Sequence, residues 1–183
     1  MFDEIDKIFW KARMGTLPES FTDWALADVT GVTVAHTIVG HGHQLPSSFA
    51  HWGMLDEHGR TVAHVAVATK AFPPGFKGWA AQGVWSLRNI AGWTVAHFAA
   101  HHGVLPDDFD QWELENNGVT VAHSAAEAGT LPSNFADWGI KDFDGRTVGD
   151  AFRAAAQDKI TERRVAAYGV MGLLAFALIP LFL

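Results

Sequence analysis

Short bursts of small and apolar residues, separated by polar turns, run along this chain and repeat. The string Gly-x-Thr-Val-Ala-His occurs at Gly31 to His36, Gly59 to His64, Gly92 to His97 and Gly118 to His123, with a degenerate copy, GRTVGD, from Gly145. Three of the bursts are followed by Leu-Pro and a Phe-x-x-Trp pair: Leu45, Pro46, Phe49 and Trp52; Leu105, Pro106, Phe109 and Trp112; Leu131, Pro132, Phe135 and Trp138. After His64 the chain instead runs Phe72, Pro73, Pro74 and Phe76 and reaches the matching Trp85 six residues late. A leading half-copy supplies Leu17, Pro18, Phe21 and Trp24. The glycines stand 28, 33, 26 and 27 residues apart, which gives a unit of about 27 residues with one insertion, placed at residues 77–84. Self-similarity at such a period is the mark of a stacked array.

Within a unit the pattern predicts two short helices. Val95, Ala96, Ala99 and Ala100 recur at helical spacing, and Gly103 stands where a C-cap belongs. Pro106 then suits the first position of a second helix, with Asp107 and Asp108 in its first turn and Phe109 and Trp112 on one face. Helices below ~12–15 residues are marginal alone, so stacking must supply the stability. Burying each Phe or Trp contributes roughly 1.5–3 kcal/mol, and the aromatic pairs are expected to join into a continuous spine between units.

Asp28-x-x-Gly31-x-Thr33-Val34-Ala35-His36 and Asp56-x-x-Gly59-x-Thr61-Val62-Ala63-His64 resemble the ankyrin-repeat pattern DxxGxTPLHxAAxxG, with Asn89, Glu115 and Asp142 also three residues before their glycines. The resemblance covers roughly residues 1–150; Val-Ala replaces Pro-Leu, and the unit is shorter than the usual ~33 residues. It implies an all-α, ankyrin-like helix-turn-helix solenoid of about five short repeats over residues 1–148, opened by a half-repeat of about 30 residues. It also implies that Thr33, Thr61, Thr94 and Thr120 cap the first helices. His36, His64, His97 and His123 would hydrogen-bond backbone between units. Both roles agree with the chemistry of a Thr N-cap and of a buried imidazole.

The ten histidines raise a metal alternative. Those in the repeated motif would stand about 10 Å apart at helix-packing distance, too far to share an ion whose first-shell bonds are near ~2 Å. His41 with His43, and His101 with His102, leave the metal question open. No Gly-rich phosphate loop, HExxH or nucleophile constellation occurs, and cysteine is absent, so no enzyme and no cofactor are expected.

Charge adds direction. Residues 1–150 hold 9 Lys and Arg against 18 Asp and Glu, out of 13 and 20 in the whole chain. An acidic body argues against nucleic acid as a partner. No small-molecule substrate is indicated. A polar helix is expected at 149–164, followed by VAAYGVMGLLAFALIPLFL, Val165 to Leu183, without a charge. As a helix it would span ~28 Å, close to a hydrocarbon core of about 30 Å. Lys159, Arg163 and Arg164 precede it, so a C-terminal transmembrane helix is expected, with the repeats on the cytoplasmic side.

The expected function is therefore a membrane-anchored protein–protein interaction module, an accessory or scaffold subunit docking on a membrane protein complex. An effector or toxin-like factor acting on the membrane through its apolar tail is the other reading. Docking residues are expected at the turn tips and just after the histidines, where repetition does not dictate the residue: Arg60, Trp93, Phe98, Val119 and Arg146. Trp and Arg are the types that dominate interfaces, although Trp93 could instead shield the insertion around Trp79.

Overall fold

The computed structural model describes residues 4–72 and 76–161. Among the described residues six α-helices follow one another: α1 (Glu4–Met14), α2 (Val34–Gly40), α3 (Val62–Thr69), α4 (Val95–His102), α5 (Val121–Ala128) and α6 (148–161). Short 3-10 turns at Phe76–Trp79 and Val84–Ser86 lie in the insertion. The first five helices contact one another strictly in sequence, each with the next, which is the one-dimensional order of a stack. Ala151 of α6 is fully buried, and Lys159 Nζ donates to the carbonyl of Ala128 at 3.5 Å, so α6 closes the series.

Three expectations are corrected. The fold is not all-α: β1 (Glu115–Asn116) and β2 (Val119–Thr120) form a small antiparallel sheet, and single bridges stand at the same place in the other units, Ala27 with Thr33, Leu55 with Thr61, Arg88 with Thr94 and Lys141 with Thr147. Nor is the unit helix-turn-helix. Where a second helix was expected, the chain makes two successive turns, closed by Phe49 N–H to Pro46 O (2.9 Å) and Met54 N–H to His51 O (3.1 Å), and likewise by Phe109 to Pro106 and Leu114 to Gln111. Finally, no helix among the described residues is long and apolar enough to cross a membrane, and the segment expected to do so, 165–183, lies outside the described residues.

The double turn has a physical reason. The N-terminal N–H groups of a helix have no partner within it. In the second unit, Trp52 and Met54 aim their carbonyls at Ala63 and Val62, the first residues of α3, at 3.1 and 3.0 Å. Trp112 and Leu114 do the same for Ala122 and Val121 of α5. In a helix those carbonyls would be turned along its own axis, and the next helix would begin with orphan donors. Thr61 and Thr120 complete the cap, each hydroxyl accepting from the N–H of the motif histidine.

The aromatic pairs do form a spine. Phe21, Trp24, Phe49, Trp52, Trp79, Trp85, Phe109, Trp112, Phe135, Trp138 and Phe152 touch in that order, with centroids 4.9–5.8 Å apart and mostly edge-to-face. The insertion keeps the series unbroken by contributing Trp79, which is fully buried. One register differs from expectation. In the fourth unit Glu115 pairs opposite Thr120 across a two-residue turn, Asn117 (φ 50) and Gly118 (φ 84). It therefore stands where Lys141 stands in the fifth unit, while buried Asn116 follows it. The shortened hairpin is a type I′ turn.

Candidate docking groove

The motif histidines tie each unit to the next. His36, His64, His97 and His123 are buried, and each Nδ1 meets the hydroxyl of the capping threonine at 2.7 Å. Each Nε2 meets a backbone carbonyl of the following unit: Arg60 at 3.1 Å, Trp93 and Val119 at 3.0 Å, and Arg146 at 2.9 Å. A carbonyl only accepts, so Nε2 carries the hydrogen; Nδ1 of the neutral ring is then bare and takes the threonine hydroxyl's hydrogen. One neutral tautomer fits. Burial lowers the pKa of His36, His64 and His97 in keeping with that state.

Four of the five expected docking residues, Arg60, Trp93, Val119 and Arg146, are thus the residues whose carbonyls receive these bonds. Their backbones are fixed and their side chains project from the turn tips. Arg60 folds onto Asp56 in its own turn, 2.8 Å from Oδ2, and stands apart from the others. Val119 is half-buried in β2. Trp93 and Phe98 come together.

Phe98 lies one residue beyond His97 on α4, and its ring meets His64 edge-on at 4.8 Å, while Trp93 meets His97 at 5.2 Å. Between them opens a groove of about 460 Å³, lined also by His101, His102, Ser124, Glu127 and Ala128. Arg146 reaches its rim through Glu127, at 2.7 Å, and also binds Asp142 at 3.0 Å. The Glu127 contact raises the guanidinium's pKa. His102 is held below the usual imidazole range, first by burial, then by the neighbouring His101 and Lys70.

Of the lining residues, Ser124 falls at one of the variable positions just after the histidines, whereas neither Glu127 nor Ala128 is by itself marked for docking, and His101 and His102 suggest a metal or the helix C-terminal dipole. The signal was present in the repeat. Phe98, His101 and His102 follow His97 in the positions that Ser124, Glu127 and Ala128 take after His123, so two adjacent helices present one register to the same groove. Among the described residues no group of three His, Cys, Asp or Glu is placed to hold a metal ion. His41 Nδ1 lies 2.9 Å from Thr37 O, and His43 Nε2 lies 2.9 Å from Arg13 O, so each donates one ring N–H to backbone. The groove offers two aromatic faces, a hydroxyl and a carboxylate paired with Arg146. No protein-family model matches the chain, and no curated protein matches its sequence.

Proposed function

We propose that this protein is a docking module, which holds a segment of another protein in the groove between α4 and α5. The observation that carries the reading is the pairing of Trp93 and Phe98 on one groove while their backbones are locked into the stack. An anchor that is already ordered loses little conformational freedom on binding, and aromatic anchors in pockets carry a large share of interface energy. The uncharged sequence from Val165 to Leu183 supports attachment of the module to a membrane, with a membrane protein complex as its partner.

The test is the double substitution Trp93→Ala with Phe98→Ala in the full chain, compared with wild type for partner recovery in mild detergent and for melting temperature. Loss of the partner with a retained melt places docking on the groove. Retention of the partner refutes the reading, and fractionation of the same lysates shows whether the protein travels with membranes.

A further inference from the structure

The inter-unit histidine bonds are built alike but do not share the same charged surroundings. His36 has the Asp56 carboxylate and the Arg60 guanidinium beside it, and Asp56 favours its charged form. His123 Nε2 lies 3.9 Å from Asp142 Oδ2. His97 feels Arg88 and Glu115, with opposite effects. His64 is different. The place that Asp56 and Asp142 occupy in their turns is taken by Asn89, a neutral amide whose Oδ1 accepts the N–H groups of Ala91 and Trp93 at 3.1 and 3.0 Å. From α4 the ring meets Phe98 edge-on, and from its own unit the hydroxyl of Thr61. Burial and the backbone of Trp93 and Thr94 set its protonation; no charged side chain among the described residues contributes.

We propose that the joint between the second and third units, closed by His64 on the carbonyl of Trp93, is a proton-sensitive hinge that opens ahead of the outer joints as the pH falls. Protonation puts a hydrogen on Nδ1, where the Thr61 hydroxyl now donates at 2.7 Å. That oxygen already accepts from the His64 N–H at 3.3 Å, so the hydroxyl must turn its hydrogen away inside a buried site, and the new charge finds no carboxylate. The sign follows from linkage. Burial depresses the folded-state pKa of His64, so the open joint binds more protons than the closed one. The closed joint therefore loses stability as pH falls below the ordinary imidazole value of about 6.5. At His36 the Asp56 carboxylate offsets part of this penalty, and at His123 the Asp142 carboxylate stands 3.9 Å from Nε2. The hinge holds whether or not the groove above it binds a partner, because it rests on His64, Thr61, Asn89 and Trp93 alone.

The test is amide hydrogen exchange by mass spectrometry on the full chain in detergent, at about pH 7.4 and about pH 5.0, with times scaled for intrinsic exchange. Peptides spanning 88–98 should lose protection on acidification at least about tenfold more than peptides spanning 56–64 and 142–150. Asn89→Asp should abolish that excess by giving His64 the carboxylate that His36 has. His64→Gln, which can still donate to the Trp93 carbonyl but cannot titrate, should abolish it too. Equal loss at all joints, no loss at 88–98, or an excess that survives in both variants would overturn the proposal.

Discussion

Trp112→Ala tests the aromatic spine between the fourth and fifth units. The Trp112 side chain is 9% exposed and lies between Phe109 and Phe135, with centroids 4.9 and 5.1 Å away. Truncating a buried Trp to Ala destabilises by about 3–5 kcal/mol, because transfer energy is lost and a cavity remains. The two edge-to-face contacts account for roughly 0.5–1.5 kcal/mol each of that figure. The backbone bond from Ala122 to the Trp112 carbonyl is untouched by the substitution, so the loss isolates packing. Against a whole-domain stability of about 5–15 kcal/mol, the change should move the urea midpoint of the full chain, followed by far-UV circular dichroism in detergent, down by roughly 1–5 M, given slopes of about 1–3 kcal/mol per M. The half-buried Trp24, at the start of the spine, should lose much less on the same change. A midpoint that moved by less than about 0.3 M, or equal losses at Trp112 and Trp24, would refute a spine that couples neighbouring units.

Further outcomes follow from the same geometry. Thr94→Val removes both the cap of α4 and the hydrogen given to His97 Nδ1, and should destabilise by about 1–3 kcal/mol in chemical denaturation, with Thr94→Ser restoring most of it. Gly118→Ala should be far worse than Gly42→Ala. Both have positive φ, but a Cβ at Gly118 would meet Phe143 Cβ at 2.3 Å whereas one at Gly42 meets nothing within 4 Å, so thermal melts should separate a clash from a strain of about 1–2 kcal/mol. Because burial lowers the pKa of His36, His64 and His97, the unfolded chain binds more protons, and array stability should fall as pH drops below about 6.5; a flat melting temperature between pH 7 and 5 would contradict the neutral tautomers.

The repeat made the elements that recur legible: the Thr caps, the glycine ends of α4 and α5, and the order of the aromatic rings apart from Trp79, which lies in the insertion yet joins Trp52 to Trp85. It misled where local and tertiary demands differ. Pro106, Asp107 and Asp108 are good helix-opening residues, yet the carbonyls of Trp112 and Leu114 are claimed by the N–H groups of Ala122 and Val121, and that demand breaks the helix into two turns. The hairpin at Asn117 and Gly118 carried its own signal, an Asn-Gly pair between residues able to pair across strands, and alignment on the glycine alone hid its shorter register. Phe98 was visible as a departure from repetition. Its neighbours in the groove were not, because Glu127 and His101 look like ordinary solvated helix residues until the two helices are placed side by side.

Trp93 links these threads physically. Its carbonyl receives the bond that closes the joint on His64, and its ring forms one wall of the groove. A partner that grips the ring in the closed arrangement must favour the closed joint by its differential affinity, since a ligand shifts an equilibrium only by that amount. At a concentration of about 100 times its dissociation constant such a partner contributes about 2.7 kcal/mol to the closed form. The proposed docking and the proposed acid opening would therefore oppose each other through one residue. Partner binding should protect residues 88–98 at low pH, and low pH should weaken binding by the same factor, as reciprocity of linked equilibria requires.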